Sequence, residues 1–343
     1  METLVLSAKD VNAVALGAQL IKEGKVVGFP TETVYGLGAD VYQNDAVEAI
    51  FAAKGRPADN PLIAHISDQS MLDNMVADVP PMAQKLAQIF WPGPLTMIFP
   101  SKGTVSRAVT AGLDTLAVRF PVHPAAQRLI AEAGVPIAAP SANRSGSPSP
   151  TNAQDVFQDM NGRIPLILDG GPSGIGLEST VLDVTGRQPL ILRPGGITKV
   201  MLEQALDTEV LVHQSALKPL SGVARSPGMK YKHYAPQAQV TLVEGGPEAM
   251  ANTICGLYDT CPKNSCILGT EENRAVYGER NFALLGSRAN PETIAHNLFT
   301  LLREMDRQGY EAIFCETVQA DGIGLAIMNR LVRAAGYNIV KAM

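Results

Sequence analysis

The chain has no apolar run approaching the roughly 20 residues that a membrane-spanning helix needs. Residues 1–22 also lack a basic start followed by a continuous apolar core and a small-residue cleavage site. These absences point to a soluble protein, with the cytoplasm as its expected compartment. Cysteine is scarce. The four, Cys255, Cys261, Cys266 and Cys315, all lie in the last third, and no pair has the C-x-x-C spacing of a zinc site or redox motif. All four are expected to be buried thiols. There is no excess of basic residues, with 28 Lys and Arg against 33 Asp and Glu and a formal net charge of −5. That balance argues against broad binding to nucleic-acid phosphates but leaves room for a local basic pocket. The glycine-rich stretch 169–176 has neither the Gly-Lys-Ser/Thr ending of a P-loop nor a G-x-G-x-x-G before a helix. It reads as a hairpin-like turn between two strands. The single tryptophan, Trp91, stands at a Trp-Pro-Gly-Pro corner and reads as a packing anchor.

Apolar residues, by contrast, make up 46% of the 343 positions. A single core stops growing below that length, so two domains are expected. The most unusual residue use is crowded into 29–61. Residues 25–29 form a short, partly β-branched run that stops at Pro30, so Thr31, Glu32, Thr33 and Tyr35 stand just past a buried strand end. In α/β proteins that is where ligands bind. Asn44 is the expected cap of a helix whose Val47, Ile50 and Phe51 share one face, with Lys54 in its last turn and Gly55 as its stop. Lys54 and Arg56, two apart across that glycine, can converge as ammonium and guanidinium on one anion, and a polyphosphate suits the pair. Both side chains are expected to face solvent in the empty protein. The plainer reading is that Lys54 complements the helix end and Arg56 is a solvated loop charge. In 62–66, alternation sets His65 opposite Leu62, Ala64 and Ile66.

Around this stretch, Ser7 and Asp10 make a capping pattern for a helix that Gly24 ends. Residues 82–90 and 124–133 read as helices, and 95–99, 115–120 and 135–139 as strands. Arg119 lies among apolar neighbours in its strand, a costly place for a cation unless an anion or carboxylate meets it. The loop 141–151, SANRSGSPSPT, carries hydroxyls and amides that can bind a nucleotide, and Thr151 caps the helix that follows. Strands at 166–168, 179–184 and 190–192 and a helix at 199–205 complete this part, with 190–192 as its last strand and Arg193 at that strand's end. Residues 208–239 lose periodicity and end in SPGMKYKHYAP, which reads as a linker. Beyond it, strands at 240–243, 266–268, 282–285 and 312–315 alternate with helices at 247–258, 291–308 and 325–335. Such alternation implies a small parallel sheet flanked by helices.

The motif PTETVYGLG, KGRP with Asn60, the strand bearing His65, and the Lys-x-Arg and Ser-x-Asn pairs formed by Lys54, Arg56, Ser141 and Asn143 resemble the threonylcarbamoyl-AMP synthase family in its long two-domain form. The resemblance runs through SPGMKYKHYAP and covers nearly the whole chain. It implies a YrdC-like twisted mixed α/β sheet with flanking helices over 1–207, a linker at 208–239 contacting the active site, and a smaller Rossmann-like parallel α/β domain over 240–343. It further implies that L-threonine and bicarbonate give N-carboxythreonine, whose carboxylate attacks the α-phosphate of ATP and expels pyrophosphate. The Lys54, Arg56, Ser141 and Asn143 tetrad would be catalytic. Thr33, His65, Arg119, Ala139 and Ser179 would line the threonine pocket. ATP would be held by the tetrad with Asn60, Thr115, Ser149, Arg193, Tyr231 and His233. Mg²⁺ would enter mainly through the ATP phosphates, with no metal-ligating residues, and the product would pass to a separate tRNA threonylcarbamoyl-transfer complex, with weak or no direct tRNA binding and no membrane association. Two other readings are a carbamoyl transferase of the hydrogenase-maturation kind, whose zinc-finger and acylphosphatase parts this chain lacks, and an RNA-binding module, against which the acidic balance weighs.

Overall fold

The computed structural model describes residues 1–218 and 233–342, and the chain divides into two compact units. The first takes Met1–Ser145 and Ser149–Lys230, the second Gly146–Pro148 and Tyr231–Met343.

In the first unit the strands are β1 (Leu4–Ser7), β2 (Val27–Phe29), β3 (Gly36–Asp40), β4 (Ile63–His65), β5 (Leu95–Pro100), β6 (Thr115–Arg119), β7 (Ile137–Ala139), β8 (Leu166–Asp169), β9 (Thr180–Asp183), β10 (Leu190–Arg193) and β11 (Leu211–Val212). They pair in the order β1-β8-β2-β3-β7-β4-β6-β5-β9-β10-β11 in one mixed sheet. The helices are α1 (Val11–Lys22), α2 (Asn44–Lys54), α3 (Pro81–Phe90), α4 (Arg107–Thr110), α5 (Pro124–Ala133), α6 (Ala153–Met160) and α7 (Lys199–Leu206). Val14 and Ile21 of α1 and Leu129 and Ile130 of α5 bury one end of the sheet against Phe29 and Leu168. On the opposite face α2, α3, α6 and α7 cover a larger core that includes Leu37, Leu62, Ala64, Met97 and Val118. Trp91 is 7% exposed and donates its indole N–H to the Leu95 carbonyl at 2.7 Å, a packing anchor as expected.

Several boundaries differ from the sequence reading, each for a local reason. Asp10 alone caps α1, accepting from the Asn12 N–H at 2.9 Å, because Ser7 is occupied as the last residue of β1. Asn44 is the first residue of α2 and not its cap; its side chain bonds Glu48 and Ser106, and Gln43 holds the cap position. Asn152, not Thr151, caps α6 through the Asp155 N–H at 2.8 Å. The glycine-rich stretch is not a hairpin turn: it crosses from β8, beside β1 and β2, to β9, which pairs with β5 and β10. Nor is β10 the last strand here, since β11 adds to it in parallel.

The second unit holds β12 (Gln239–Glu244), α8 (Pro247–Thr260), β13 (Ser265–Thr270), α9 (Arg274–Tyr277), β14 (Phe282–Gly286), α10 (Pro291–Arg307), β15 (Ala312–Glu316), α11 (Gly324–Ala334) and β16 (Ile339–Lys341). All its strand pairings are parallel, in the order β14-β13-β15-β12-β16. Cys266 and Cys315 are buried in strands, whereas Cys255, within α8, and Cys261, at its C-terminal cap, pack on the edge of the core that holds Val243, Ile267 and Phe314 and stay half-exposed. Tyr234, at the end of the aromatic and basic run, is buried within this unit against Phe299, with ring centroids 5.2 Å apart and the Arg330 guanidinium 5.6 Å from its ring.

Candidate active site

Strand register builds a polar row across the first sheet. Parallel β4 and β6 set His65 beside Arg119, antiparallel β5 sets Thr96 opposite Arg119, and β9 sets Val181 beside Thr96, with Ser179 just ahead of the strand. The two-residue strand period puts these polar side chains on the same face as Ile63, Ile98, Ala117 and Val181. Those four, with Leu192, form a separate apolar cluster made of strand residues alone. Arg193 reaches this face through a bulge. Two residues advance on β10, from Ile191 to Arg193, against one on β9, from Leu182 to Val181, which turns Arg193 away from the core that holds Ile191.

The row is tightly bonded. Arg119, 4% exposed, donates to Glu32 Oε1 at 2.6 Å, to Thr33 Oγ1 at 2.9 Å and, more weakly, to the Gly93 carbonyl at 3.4 Å. Thr31 Oγ1 donates to the Val34 carbonyl at 2.6 Å, so its single proton is spent there and Thr33 Oγ1, 2.8 Å away, is the donor between the two hydroxyls. A directed chain from Arg119 through Thr33 and Thr31 results. Ser179 Oγ shares a bond of 2.8 Å with Thr96 Oγ1 and accepts from Arg193 at 3.2 Å, while the Ser179 carbonyl takes Arg193 Nε at 3.1 Å. His65 Nδ1 lies 3.1 Å from the Ile63 carbonyl, which can only accept, so Nδ1 carries the proton and Nε2 is left as the acceptor of the neutral ring. Burial, and after it the nearby Arg119 charge, push the His65 pKa down to about 3, so the ring is neutral at physiological pH.

The glycines of PTETVYGLG make this geometry possible. A Cβ on Gly36 or on Gly38 would come within 2.8 Å of the Phe29 ring, and that ring meets His65 edge-on with centroids 6.1 Å apart. The loop before β3 is held from below by the glycine-rich crossing. Ile175 N–H donates to the Glu32 carbonyl at 2.8 Å, Ser173 Oγ to the Thr31 carbonyl at 3.0 Å, and Tyr35 OH to the Gly171 carbonyl at 2.7 Å. Burial raises the Tyr35 pKa, keeping it a neutral donor.

A second cluster lies at the end of α2. Gly55, at φ 62°, closes the helix in the left-handed conformation, and Lys54 turns inward. Contrary to the sequence reading, Lys54 does not face solvent: it is 4% exposed and donates to the carbonyls of Ser141 at 2.5 Å and Asn143 at 2.6 Å. Ser141 Oγ donates to Asn143 Oδ1 at 2.5 Å, so three members of the tetrad form one bonded unit. Arg56 is half-buried. It donates to the Asn60 carbonyl at 3.1 Å and to the Pro61 carbonyl at 3.5 Å, and sits 5.9 Å from the Phe51 ring.

The predicted residues therefore fall into groups. His65, Arg119, Thr33 and Ser179 share the row, and Ala139 sits opposite Ile63 one pleat away. Arg193, expected with the nucleotide, bonds the threonine-pocket residue Ser179. Ser149 Oγ donates to Glu178 at 2.5 Å. Thr115 opens β6 at the end opposite Arg119, about 13 Å away along the strand, on the side where Asn60 and β4 begin. His233 belongs to the second unit, where its ring lies 5.6 Å from that of Tyr234. Tyr231 lies outside the described residues. Sequence reasoning missed Thr96 and Glu178, and it gave Glu32 no role. Thr96 carried a signal, as the one polar residue in an apolar strand. A cavity of about 160 Å³ opens elsewhere, between α3 and β5 over Leu72, Trp91 and Phe99, and none of the predicted site residues lines it.

Residues 19–195 match the family described as "Telomere recombination", and residues 197–336 match "Threonylcarbamoyl-AMP synthase, C-terminal domain". The chain is 48% identical to the threonylcarbamoyl-AMP synthase of Bacillus subtilis, over 96% of this chain and 94% of that one. It is 46% identical to that of Pyrococcus abyssi, over 96% and 95%. Among solved structures, P. abyssi Sua5 complexed with L-threonine aligns at a TM-score of 0.94 with 44% identity, covering 100% of both chains.

Proposed function

The chain belongs to the threonylcarbamoyl-AMP synthase family in its two-domain form, and on that premise we propose how its residues divide the work of that reaction. The reaction joins L-threonine, bicarbonate and ATP into threonylcarbamoyl-AMP and releases pyrophosphate. The observation that carries the proposal is the row itself: a buried arginine, a neutral histidine and a shared pair of hydroxyls, on one face beside the PTETVYGLG loop. Arg119 takes the α-carboxylate of threonine as a charge-assisted pair. His65 Nε2 and the Ser179 and Thr96 hydroxyls offer acceptors and donors for its β-hydroxyl, and Ala139 and Thr33 complete the walls.

The nucleotide lies towards Lys54, Arg56, Asn60, Thr115, Ser141, Asn143 and Ser149. Adenylate formation gathers negative charge on the α-phosphate and the leaving pyrophosphate, so positioned cations accelerate it without a protein nucleophile. Lys54 also organises the Ser141 and Asn143 backbone, and Arg56 swings from Asn60 to phosphate. Arg193 is a further nucleotide ligand in this proposal. Among the described residues no group of three or more His, Cys, Asp or Glu side chains is set to hold a metal. Mg²⁺ enters as a companion of the ATP phosphates, where it neutralises developing charge. The product goes to a separate tRNA threonylcarbamoyl-transfer complex in the cytoplasm. No helix among the described residues is long and apolar enough to cross a membrane. Purified protein given ATP, L-threonine and bicarbonate is expected to release pyrophosphate only when all three are present; release indifferent to threonine would overturn the proposal.

A further inference from the structure

The Glu32–Arg119 pair is two opposite charges side by side at the edge of the row, and an α-amino acid is the complementary pair. We propose that Glu32 reads the α-ammonium of the amino-acid substrate, so that Glu32 and Arg119 together recognise the zwitterion; this rests on the reading of Arg119 as the carboxylate site.

Three observations support this role. Glu32 is not saturated. One oxygen accepts from Arg119 at 2.6 Å, and the other has only a long bond of 3.3 Å from the Val122 N–H. A carboxylate has about four acceptor positions, so capacity remains for an ammonium. Its location is also fixed independently of its charge, because its carbonyl is held by Ile175 and its neighbours Thr31 and Thr33 are locked in the hydroxyl chain. Finally, the field of the row requires a carboxylate. An ammonium brought beside the buried Arg119 guanidinium is repelled by it, and neutral His65 offers no negative charge in return, so a carboxylate within reach of that arginine is needed. Glu178, the other buried carboxylate nearby, already receives Ser149 Oγ at 2.5 Å, whereas Glu32 is the carboxylate that touches Arg119. Glu32 keeps 12% side-chain exposure against 4% for Arg119, so the pair is open on the carboxylate side.

The test compares L-threonine with the 2,3-dihydroxybutanoate of the same configuration, which keeps the carboxylate, methyl and β-hydroxyl but has a hydroxyl in place of the ammonium. Calorimetric titration of the full chain is expected to show the analogue binding at least about tenfold more weakly than threonine. Glu32→Gln should lose about ten- to hundred-fold of threonine affinity, as for a lost bond between charged groups, with little change for the analogue. Arg119→Gln should weaken both ligands. Equal binding of the two ligands to the unaltered protein would overturn the proposal, whatever the variants do. So would equal weakening of both by Glu32→Gln, which would make Glu32 a prop for Arg119 and leave the carboxylate reading standing. If Arg119→Gln changes neither ligand, the carboxylate reading itself falls and the proposal with it.

Discussion

Each unit holds an arginine–glutamate pair with one member buried, and the two pairs are finished differently. In the second unit Glu316, at the end of β15, is fully buried and accepts from Arg288, from Tyr277 OH at 2.6 Å, from Thr270 Oγ1 at 2.9 Å and from the Thr270 N–H at 3.1 Å. Its acceptor positions are filled by the protein, and burial and the adjoining carboxylate raise the Tyr277 pKa so that the phenol stays a donor. In the first unit Glu32 has one short bond and one long one, and the bonded network beyond Arg119 runs through hydroxyls that a ligand can reorganise. A saturated pair holds a fold together; an unsaturated one awaits a partner.

The largest expected effect breaks the saturated pair. Glu316→Gln replaces an acceptor with a group that donates, leaving buried donors unpaired at a cost of about 3–5 kcal/mol. For a unit of this size that lowers its melting temperature by more than about 10 °C. Glu32→Gln should shift melting by less than half as much, and equal shifts in scanning calorimetry would erase the distinction. The tetrad sharpens the contrast between position and binding. Lys54→Ala and Arg56→Ala are both expected to cut pyrophosphate release by about ten- to hundred-fold, the worth of a hydrogen bond to a charged group. Lys54→Ala should lower the melting temperature more, because Lys54 is 4% exposed with two short bonds to carbonyls, whereas half-buried Arg56 makes longer ones, at 3.1 and 3.5 Å. Matching melting curves for the two variants would contradict the placement of Lys54.

Selectivity is a smaller lever. Serine, short of one methyl, should bind more weakly than threonine by about 1–3 kcal/mol, and valine should be rejected more strongly because buried groups that receive the hydroxyl lose their partner. Equal affinity for threonine and valine in a competition assay would remove the hydroxyl-reading role of His65 and Ser179. The pH dependence of stability is a separate lever. The His65 pKa lies near 3 in the folded chain against 6.5 for the free side chain, so between those values the unfolded chain binds the extra proton. Stability from the neutral ring is therefore complete above about pH 6.5 and is lost as pH falls towards 3. His65→Asn should flatten the fall in melting temperature between pH 7 and 4 relative to the unaltered protein, and parallel curves would show that His65 is not held neutral.

Much of this was legible in the sequence where a single element decided it. The cation in an apolar strand announced that Arg119 would need an anion or a carboxylate, and alternation put His65 on the face away from Leu62 and Ala64. What remained hidden depends on residues far apart in the chain. Glu32 and Arg119 are separated by 87 positions, and so are Lys54 and Ser141, so no local pattern reveals that Lys54 turns inward. The strand β3 escapes the sequence reading because its glycines answer to the Phe29 ring across the pairing, not to strand propensity. Arg193 reaches its face through a bulge, a register event between two strands. The edge strand β1, with Leu4 and Val5 exposed, lacks the alternation that marks a half-buried strand.

The measurement that bears most directly on the account is threonine titration of the unaltered protein beside Arg119→Gln and Arg288→Lys, with melting temperatures taken on the same samples. The open pair predicts that Arg119→Gln loses about a hundred-fold of threonine affinity while remaining folded, and that Arg288→Lys binds threonine normally even where its second unit melts earlier. Normal threonine binding by folded Arg119→Gln, or loss of binding confined to Arg288→Lys, would contradict it.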